Sequence, residues 1–211
     1  MIEVSDLSRS YANSRAPVIS GLSFSVRRGE ILWVAGPSGS GKTTLLNVLG
    51  LLSTANSGEY RIDGQEMLGA PQQVRARSRR DVVSTVFQRG NLFAHLSAVD
   101  NVLVGMHPKE RSVAEASLAA VGMAGRERQP AGLMSGGEQG RVAIARATAR
   151  RTPVLLADEP VSGLDDANAS AVLQLLEQAG ASGVAVVVVS HDPRVGPIAS
   201  ATLTLPARQA A

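Results

Sequence analysis

Short apolar runs alternate with stretches of helical pattern along most of this chain. Buried strands are predicted where such a run is bounded by polar or turn residues, at 31–35, 82–87, 154–157 and 184–189. Helices are predicted at 42–51, 99–106, 113–121, 135–150 and 167–179. Apolar strands that alternate with helices are typical of α/β proteins, so the pattern predicts a core with a mainly parallel sheet.

Two parts of the chain depart from this alternation. Near the beginning, strands are predicted at 2–7, 18–26 and 59–62, with a turn at Arg28-Gly29, and we expect these N-terminal strands to be antiparallel. The stretch from about Gly90 to Gly132 has no strong strand signal. We interpret it as a helical insertion into the α/β core.

Composition limits the classes of protein that remain. The chain has 211 residues and is 44% hydrophobic, which is ample for the core of one large domain. The net charge is +3, and nearly all the positive charge is carried by arginine, because the only lysines are Lys42 and Lys109. The arginine run at 75–80 predicts a solvated helix or loop, with contact to nucleic acid or lipid headgroups as the alternative.

Several kinds of site and segment are not expected. The chain contains no cysteine, which excludes disulfides, a thiol nucleophile and cysteine-based metal sites. His95 and His107 are too isolated to suggest a metal site. The N-terminus lacks the pattern of a secretory signal, and the apolar run at 184–189 is too short to span a bilayer. We expect a soluble chain whose membrane role, if any, comes through a partner.

A phosphate-binding loop is predicted between the strand at 31–35 and the helix after it. The segment fits the pattern G-x-x-x-x-G-K-[ST] and consists of Gly36, Pro37, Ser38, Gly39, Ser40, Gly41, Lys42 and Thr43, with Thr44 following. Glycines let backbone N–H groups wrap phosphate oxygens, Lys42 reaches the β- and γ-phosphates, and the Thr43 hydroxyl ligates Mg²⁺. The segment therefore predicts nucleotide binding.

Two carboxylates follow the buried strand at 154–157. An apolar strand that ends in Asp158 and Glu159 is costly unless these side chains meet a cation, although an ordinary strand ending at a polar loop looks the same. Beside a phosphate-binding loop, we expect Asp158 to hold Mg²⁺ and Glu159 to polarise an attacking water as a general base.

A second anion-binding signal lies upstream of these carboxylates. Ser135, Gly136, Gly137 and Glu138 open a predicted helix, where free N–H groups and the helix dipole attract a negative group. Taken alone, this segment is equally explained as an ordinary helix start, with a serine N-cap and an acidic first turn. One ATP bound within a single subunit does not need two anion-binding sites. Two such sites in each subunit are needed if each ATP is clamped between two subunits.

Together, these motifs resemble the ATP-binding cassette (ABC) family over essentially the whole chain. The resemblance implies an α/β P-loop NTPase of ABC type, a single domain over 1–211. In it, 1–89 and 136–211 form the catalytic core, which includes the antiparallel subdomain, and 90–135 form a helical subdomain. It also implies that Ser135 and Gly137 contact the γ-phosphate of an ATP bound to the opposite protomer. Met134 and Gly140 depart from the usual signature residues, and a glycine within a helix costs about 1 kcal/mol relative to alanine.

The resemblance assigns roles to four further residues. Gln88 matches the glutamine that contacts Mg²⁺ or the attacking water and relays the nucleotide state to the helical insertion. Asp165 matches a loop residue that shapes the dimer contact, and His191 matches the histidine that bonds the γ-phosphate and orients Glu159. Tyr11 stands where the family places an aromatic that stacks on adenine.

The implied function is that of an ATP-hydrolysing transporter subunit. Two copies would bind ATP and Mg²⁺ head to tail in a homodimer, and hydrolysis would drive a transmembrane permease at the cytoplasmic face of the cell membrane. Within the family, Leu45 to Gly50 followed by Ser57 to Tyr60 looks most like the lipoprotein-release and macrolide-export group. An importer ATPase is the near alternative. An ABC protein acting on DNA or the ribosome, and a non-catalytic binding module, are more distant ones, and no nucleic-acid partner is expected.

Overall fold

The N-terminal part of the protein forms an antiparallel sheet, as the sequence predicts. The computed structural model describes residues 1–11, 16–88 and 91–207. The sheet has strand order β2-β1-β4-β5. Its strands are β1 (Ile2–Arg9), β2 (Ile19–Val26), β4 (Ser57–Ile62) and the short β5 (Gln65–Glu66). Strand β5, which has only two residues, was not predicted.

A second, parallel sheet forms the centre of the molecule. Its strand order is β6-β7-β8-β3-β9, and each neighbouring pair is parallel. The strands are β3 (Ile31–Ala35), β6 (Val83–Val86), β7 (Val154–Asp158), β8 (Ala185–Val189) and β9 (Ala201–Thr204). The predicted α/β core is therefore confirmed, with β9 as an additional edge strand.

Six α-helices accompany the two sheets in the described residues. They are α1 (Lys42–Leu49), α2 (Gln72–Asp81), α3 (Ala98–Leu103), α4 (Arg111–Ala120), α5 (Gly136–Ala149) and α6 (Asp166–Ala181). The arginine run at 75–80 lies within α2, so its helical interpretation holds. Helix α3 ends earlier than predicted because Gly105 takes a positive φ of 83°, which an α-helix cannot continue through.

Helices and 3₁₀ turns make up the regular structure in the described residues of the predicted insertion. Between 91 and 135 these are α3, α4 and 3₁₀ turns at Pro108–Glu110 and Ala131–Leu133, with one isolated bridge between Ser97 and Pro130. The predicted division between 89 and 90 lies outside the described residues, so the domain boundaries stay a prediction.

Two apolar clusters lie on opposite faces of the parallel sheet, because successive strand residues point to opposite faces. On β8, Val186 and Val188 belong to the cluster that includes α3, α4, α5 and α6. Val187 and Val189 belong to the other, with α1 and the antiparallel sheet. The sheet is thus covered on both faces. Among the described helices, none combines the length and apolar character that crossing a bilayer requires.

Candidate functional site

A cavity of about 550 Å³ lies at the carboxyl ends of strands β3, β7 and β8. In parallel sheets these ends meet at one edge, which is the usual place for a ligand in open α/β folds. The cavity is lined by Tyr11, Val18, Ser38, Gly39, Gly41, Lys42, Thr43, Thr44, Gln88, Asp158, Glu159 and His191. Residues from distant parts of the sequence, all predicted to act on ATP apart from Val18, therefore surround one space.

The loop between β3 and α1 has the geometry of an anion cradle. Gly41 takes a φ of 99°, and a Cβ added there would lie 2.7 Å from the Val18 carbonyl oxygen, so only glycine fits. As the N-cap of α1, Gly41 provides no side chain to bond the first N–H groups of the helix. Such N–H groups are open to an anion. The neighbouring Ser40 hydroxyl is buried and has no partner among the described residues.

Lys42 lies folded against this loop. Its Nζ donates hydrogen bonds to the carbonyl oxygens of Gly36, at 2.7 Å, and Pro37, at 2.9 Å. The residue is buried, with 8% of its surface exposed. Both partners are neutral carbonyls, and phosphate oxygens accept stronger hydrogen bonds from an ammonium, so Lys42 is suited to exchange the one for the other.

Asp158 and Thr43 form the oxygen-rich end of the cavity. The Thr43 hydroxyl donates a hydrogen bond of 3.2 Å to Asp158 Oδ2. Burial raises the pKa of the Asp158 carboxyl, with the charge of Glu159 adding to the rise, while the Thr43 hydrogen bond and Lys42 oppose it. A divalent cation would offset this cost. Hydroxyl, carboxylate and amide oxygens are ligands that Mg²⁺ accepts together with phosphates and water, and the Gln88 side chain lines the same cavity.

The side chains that could ligate a metal in this cavity also indicate which metal fits. Among the described residues, no group of three or more His, Cys, Asp or Glu side chains could hold a metal by itself. Mg²⁺ usually keeps waters and substrate phosphates as ligands, with one or two protein oxygens. The residues present therefore fit Mg²⁺ bound with a nucleotide rather than a metal caged by the protein alone.

Glu159 is held by four groups at the end of β7, one of which is the His191 backbone N–H, 3.3 Å from its Oε1. Its backbone is left-handed, with a φ of 49°, and its N–H donates to the Val189 carbonyl at 2.8 Å. Its Oε2 accepts a hydrogen bond of 2.8 Å from the Ser190 hydroxyl, and its Oε1 lies 2.7 Å from His191 Nδ1. The His191 side chain is 68% exposed, whereas that of Glu159 is 9% exposed. The pair therefore joins a fixed carboxylate to an imidazole at the cavity opening.

Ser190 is a residue that the sequence reasoning missed. It is fully buried, and its Oγ also accepts a hydrogen bond of 3.0 Å from the Asp192 N–H. Its only sequence signal is its position between a buried strand and His191. A serine at a strand end is too common to identify, so the contact with Glu159 emerges only from the fold.

Tyr11 and Gln88 lie at the edges of the cavity. The Tyr11 side chain is partly exposed, its hydroxyl lies 3.5 Å from Thr44 Oγ1, and the Arg9 guanidinium stacks 4.8 Å from the centre of its ring. Gln88 is exposed just after β6. An exposed ring held by a cation and Thr44 offers a flat surface on which a base could stack.

The second anion-binding segment lies apart from this cavity. Ser135 is the N-cap of α5, where its Oγ accepts from the Glu138 N–H and the Glu138 carboxylate accepts from the Ser135 N–H at 2.8 Å. Arg126 bonds the same carboxylate at 3.0 Å. Gly136 borders open space, and a Cβ on Gly137 would lie 3.3 Å from Leu164. Ser135, Gly136, Gly137 and Glu138 are absent from the residues that line the cavity.

The loop that contains Asp165 packs beside this segment. Asp165 is the N-cap of α6, and its Oδ1 accepts a hydrogen bond of 2.9 Å from the Asn168 N–H. It also lies outside the lining of the cavity. Helix α5 runs unbroken through Gly140, so this glycine does not interrupt the signature helix. The two segments that the sequence predicts to bind anions therefore lie on separate parts of the chain.

Comparison with known proteins identifies the family. The model of the ABC transporter family matches residues 19–162. The macrolide export ATP-binding/permease protein MacB of Neisseria gonorrhoeae is 38% identical over 203 residues, which cover 92% of this chain and 32% of that protein. MacB of Escherichia coli K12 is also 38% identical, with 92% and 31% covered. The chain thus spans about a third of the length of these curated relatives.

Solved structures are similar over nearly the full chain. A dimeric ATP-binding cassette in a post-hydrolysis state, bound to ADP and Pi, has a TM-score of 0.91 at 31% identity, covering 97% of this chain and 94% of that one. Another dimeric structure, of a bacterial ABC transporter cassette, has a TM-score of 0.91 at 32% identity, covering 98% and 94%. The family resemblance inferred from the motifs is confirmed, and this chain belongs to the ABC transporter family of ATP-binding proteins.

Proposed function

We propose that this chain is the ATP-hydrolysing part of an ABC transporter and that it works as a dimer. The observation that carries the proposal is the cavity in which Lys42, Asp158, Glu159 and His191 meet, while Ser135 lies on a separate surface of the same chain. A site divided in this way is complete only when the cavity of one subunit faces the signature segment of another. ATP would then be bound between the two.

The phosphate-binding end of the cavity would bind and orient the nucleotide. The open N–H groups at the start of α1 would bond the phosphates, and Lys42 would exchange its carbonyl partners for β- and γ-phosphate oxygens. Thr43, Asp158 and Gln88 would hold Mg²⁺. When bound, Mg²⁺ neutralises charge on the phosphate oxygens and fixes their geometry. Tyr11 would stack on the adenine.

Glu159 and His191 would act on the attacking water. The Ser190 hydroxyl and His191 hold the Glu159 carboxylate at the end of β7, so one of its oxygens can accept a proton from water beside the γ-phosphate. His191 is exposed enough to bond the γ-phosphate as well. Fixing the base before the substrate arrives avoids the cost of ordering it during the reaction.

The second subunit would complete the site through Ser135 and Gly137. Both begin helix α5, where N–H groups and the positive end of the helix dipole favour an anion. Ser135, Gly136, Gly137 and Glu138 would contact the ATP of the opposite subunit, and Asp165 would lie at the dimer contact. We expect hydrolysis to depend on dimerisation because each isolated chain holds half of each site.

ATP hydrolysis would drive a membrane permease. The relatives named above are ATP-binding/permease proteins for macrolide export, and this chain matches about a third of their length. We infer an exporter or release-type system. The chain would act at the cytoplasmic face of the cell membrane, either bound to a permease or joined to one.

Replacing Glu159 by glutamine tests the proposal. Glutamine keeps the shape but cannot accept the proton, so we expect ATP turnover to fall by at least 100-fold while ATP binding persists. Light scattering should then detect an ATP-dependent dimer. Glu177→Gln is the matched control because Glu177 is exposed on α6. Wild-type turnover in Glu159→Gln would refute the role of Glu159, and a monomer at saturating ATP would refute the divided site.

A further inference from the structure

A cavity of about 710 Å³ lies at the amino ends of strands β7 and β8, at the opposite edge of the sheet from the ATP cavity. Its walls come from helix α4 and from the last turns of α5 and α6. Sites for small molecules usually have a volume of about 300–1,000 Å³. Among the described residues, none lines both this cavity and the ATP cavity, so the two spaces are separate.

Small side chains on all three helices leave this space open. The alanines that line it are Ala116, Ala120, Ala147, Ala149 and Ala179, and we call it the alanine cavity. Val113, Leu155 and Leu175 add larger apolar side chains to its walls. Protein interiors are normally packed with few voids larger than a water molecule. An apolar wall in contact with water is unfavourable, so an apolar molecule that displaced the water would be stabilised here.

The apolar walls of the alanine cavity are recessed. Leu155 is buried, and Val113, Leu175 and Val184 are half-buried. The large apolar side chains that are exposed in the described part of the chain all lie outside this cavity, namely Tyr11, Leu52, Phe93, Val104 and Leu133. A protein docking surface usually presents exposed apolar side chains of that kind to its partner. The recess therefore suits a molecule that enters it better than a protein that covers it.

One charged side chain lines the alanine cavity, and it is positive. Arg151 follows the end of α5 and is exposed, and the described lining contains no aspartate or glutamate. The Arg151 guanidinium makes no hydrogen bond or ion pair with the residues that the structure describes. A guanidinium binds a carboxylate through two parallel hydrogen bonds. The cavity therefore joins an apolar recess to a group that attracts one anion.

The lining also limits the class of ligand. No aromatic side chain is among its described residues, so nothing there offers a flat surface for stacking a base or another ring. A single positive charge matches one carboxylate better than the several charges of a nucleotide or polyphosphate. Alanines and half-buried aliphatic side chains fit a flexible hydrocarbon chain. These features together favour an aliphatic molecule that carries a single acidic group.

We propose that the alanine cavity binds an aliphatic monocarboxylate, with the hydrocarbon chain against the alanines and the carboxylate on Arg151. Such a ligand satisfies both features of the cavity, because burial of the chain removes apolar surface from water and the carboxylate pairs with the guanidinium. The site is separate from the ATP cavity and goes beyond the proposed function, on which it does not depend.

Isothermal titration calorimetry of the purified protein with sodium decanoate, below its critical micelle concentration, tests the ligand class. We expect saturable binding at one site per chain. Decyltrimethylammonium, which has the same chain and the opposite charge, should bind about tenfold more weakly, because a guanidinium attracts the carboxylate and repels the cation. A non-hydrolysable ATP analogue with Mg²⁺ should not displace decanoate. Absence of saturable binding, equal affinity for the cation, or displacement by the nucleotide would overturn the proposal.

Filling the recess tests where the chain of the ligand lies. Ala116→Phe should weaken decanoate binding by about tenfold, which corresponds to the loss of about two buried CH₂ groups. Ala119→Phe is the matched control, since Ala119 is exposed on the same helix and lies outside the cavity lining. Ala120→Phe replaces Ala116→Phe if the melting temperature of the latter shows that it does not fold. Unchanged decanoate affinity in the folded variant, or an equal loss in Ala119→Phe, would refute the site.

Removing the charge tests the role of Arg151. Arg151→Asn should abolish the preference for decanoate over decyltrimethylammonium, and asparagine is chosen because it tolerates the φ of 50° at this position. Arg128→Asn is the control, since Arg128 is exposed and does not line the cavity. A preference that persists in Arg151→Asn, or that is also lost in Arg128→Asn, would refute the pairing with Arg151. Absence of ATP hydrolysis would refute the proposed function alone, because decanoate binding is measured without it.

Discussion

Ser190 offers a direct test of how Glu159 is held. The Ser190 hydroxyl donates to Glu159 Oε2 at 2.8 Å from a fully buried position, and the Glu159 side chain is 9% exposed. A hydrogen bond to a charged group contributes about 1.5–3 kcal/mol. Ser190→Ala removes this bond and leaves His191 as the remaining side-chain partner of the carboxylate.

The expected loss is in turnover rather than in binding. If the whole contribution is lost from the transition state, kcat falls roughly 10- to 100-fold, since each 1.4 kcal/mol is about a factor of ten. Ser190 does not line the cavity, so KM for ATP should stay within about twofold. Steady-state hydrolysis of Mg-ATP gives both constants, and binding of a fluorescent ATP analogue checks affinity independently.

Two controls separate positioning from folding. Ser190→Thr keeps the hydroxyl and should restore most of the lost kcat, whereas alanine should not. Melting temperatures of both variants report any general loss of stability, because Ser190 also accepts from the Asp192 N–H. The reasoning fails if Ser190→Ala retains full kcat, or if it raises KM and leaves kcat unchanged.

Two further predictions concern stability. Gly140→Ala should raise the free energy of unfolding by about 0.5–1 kcal/mol in a urea titration, because α5 is continuous there and an added Cβ meets open space. Gly137→Ala is the contrasting variant, because its added Cβ would press against Leu164, and it should not raise the free energy of unfolding. An equal rise in both variants would contradict this reading of the packing. Asp158→Asn should stabilise the nucleotide-free protein at pH 7, because burial raises the pKa of Asp158 and its ionised form therefore costs stability above that raised pKa. The difference in unfolding free energy between Asp158→Asn and the wild type should shrink as the pH falls towards 3.8, the ordinary pKa of the carboxyl. A difference that grows on acidification would refute the prediction.

The regular elements of the core followed from local pattern. Strands β3 and β8, and β7 up to Ala157, are short apolar runs because both faces of these strands are covered. Helix α5 carried a visible cap, Ser135. Such features depend on neighbours in sequence, which is why periodicity and capping predicted them.

Elements stabilised by distant contacts gave weaker signals. Strand β9 has no apolar run, and it forms at the sheet edge because Leu32 to Ala35 of β3 offer it hydrogen-bonding partners. Helix α2 buries only Ser78 of its own residues, so its sequence shows no apolar face. Its arginines instead bond the carbonyls of Leu51 and Ser53 beyond α1.

By itself, the sequence determined the α/β class, the phosphate-binding loop and the residue types that could act on ATP, because each of these is written in one continuous segment. The tertiary structure decided which of those segments meet. It brought Asp158, Glu159 and His191 to the loop around Lys42 and left Ser135 on a separate surface. It also joined Ser190 to Glu159. Contacts between residues far apart in sequence depend on how the sheets and helices pack, and no local pattern encodes them.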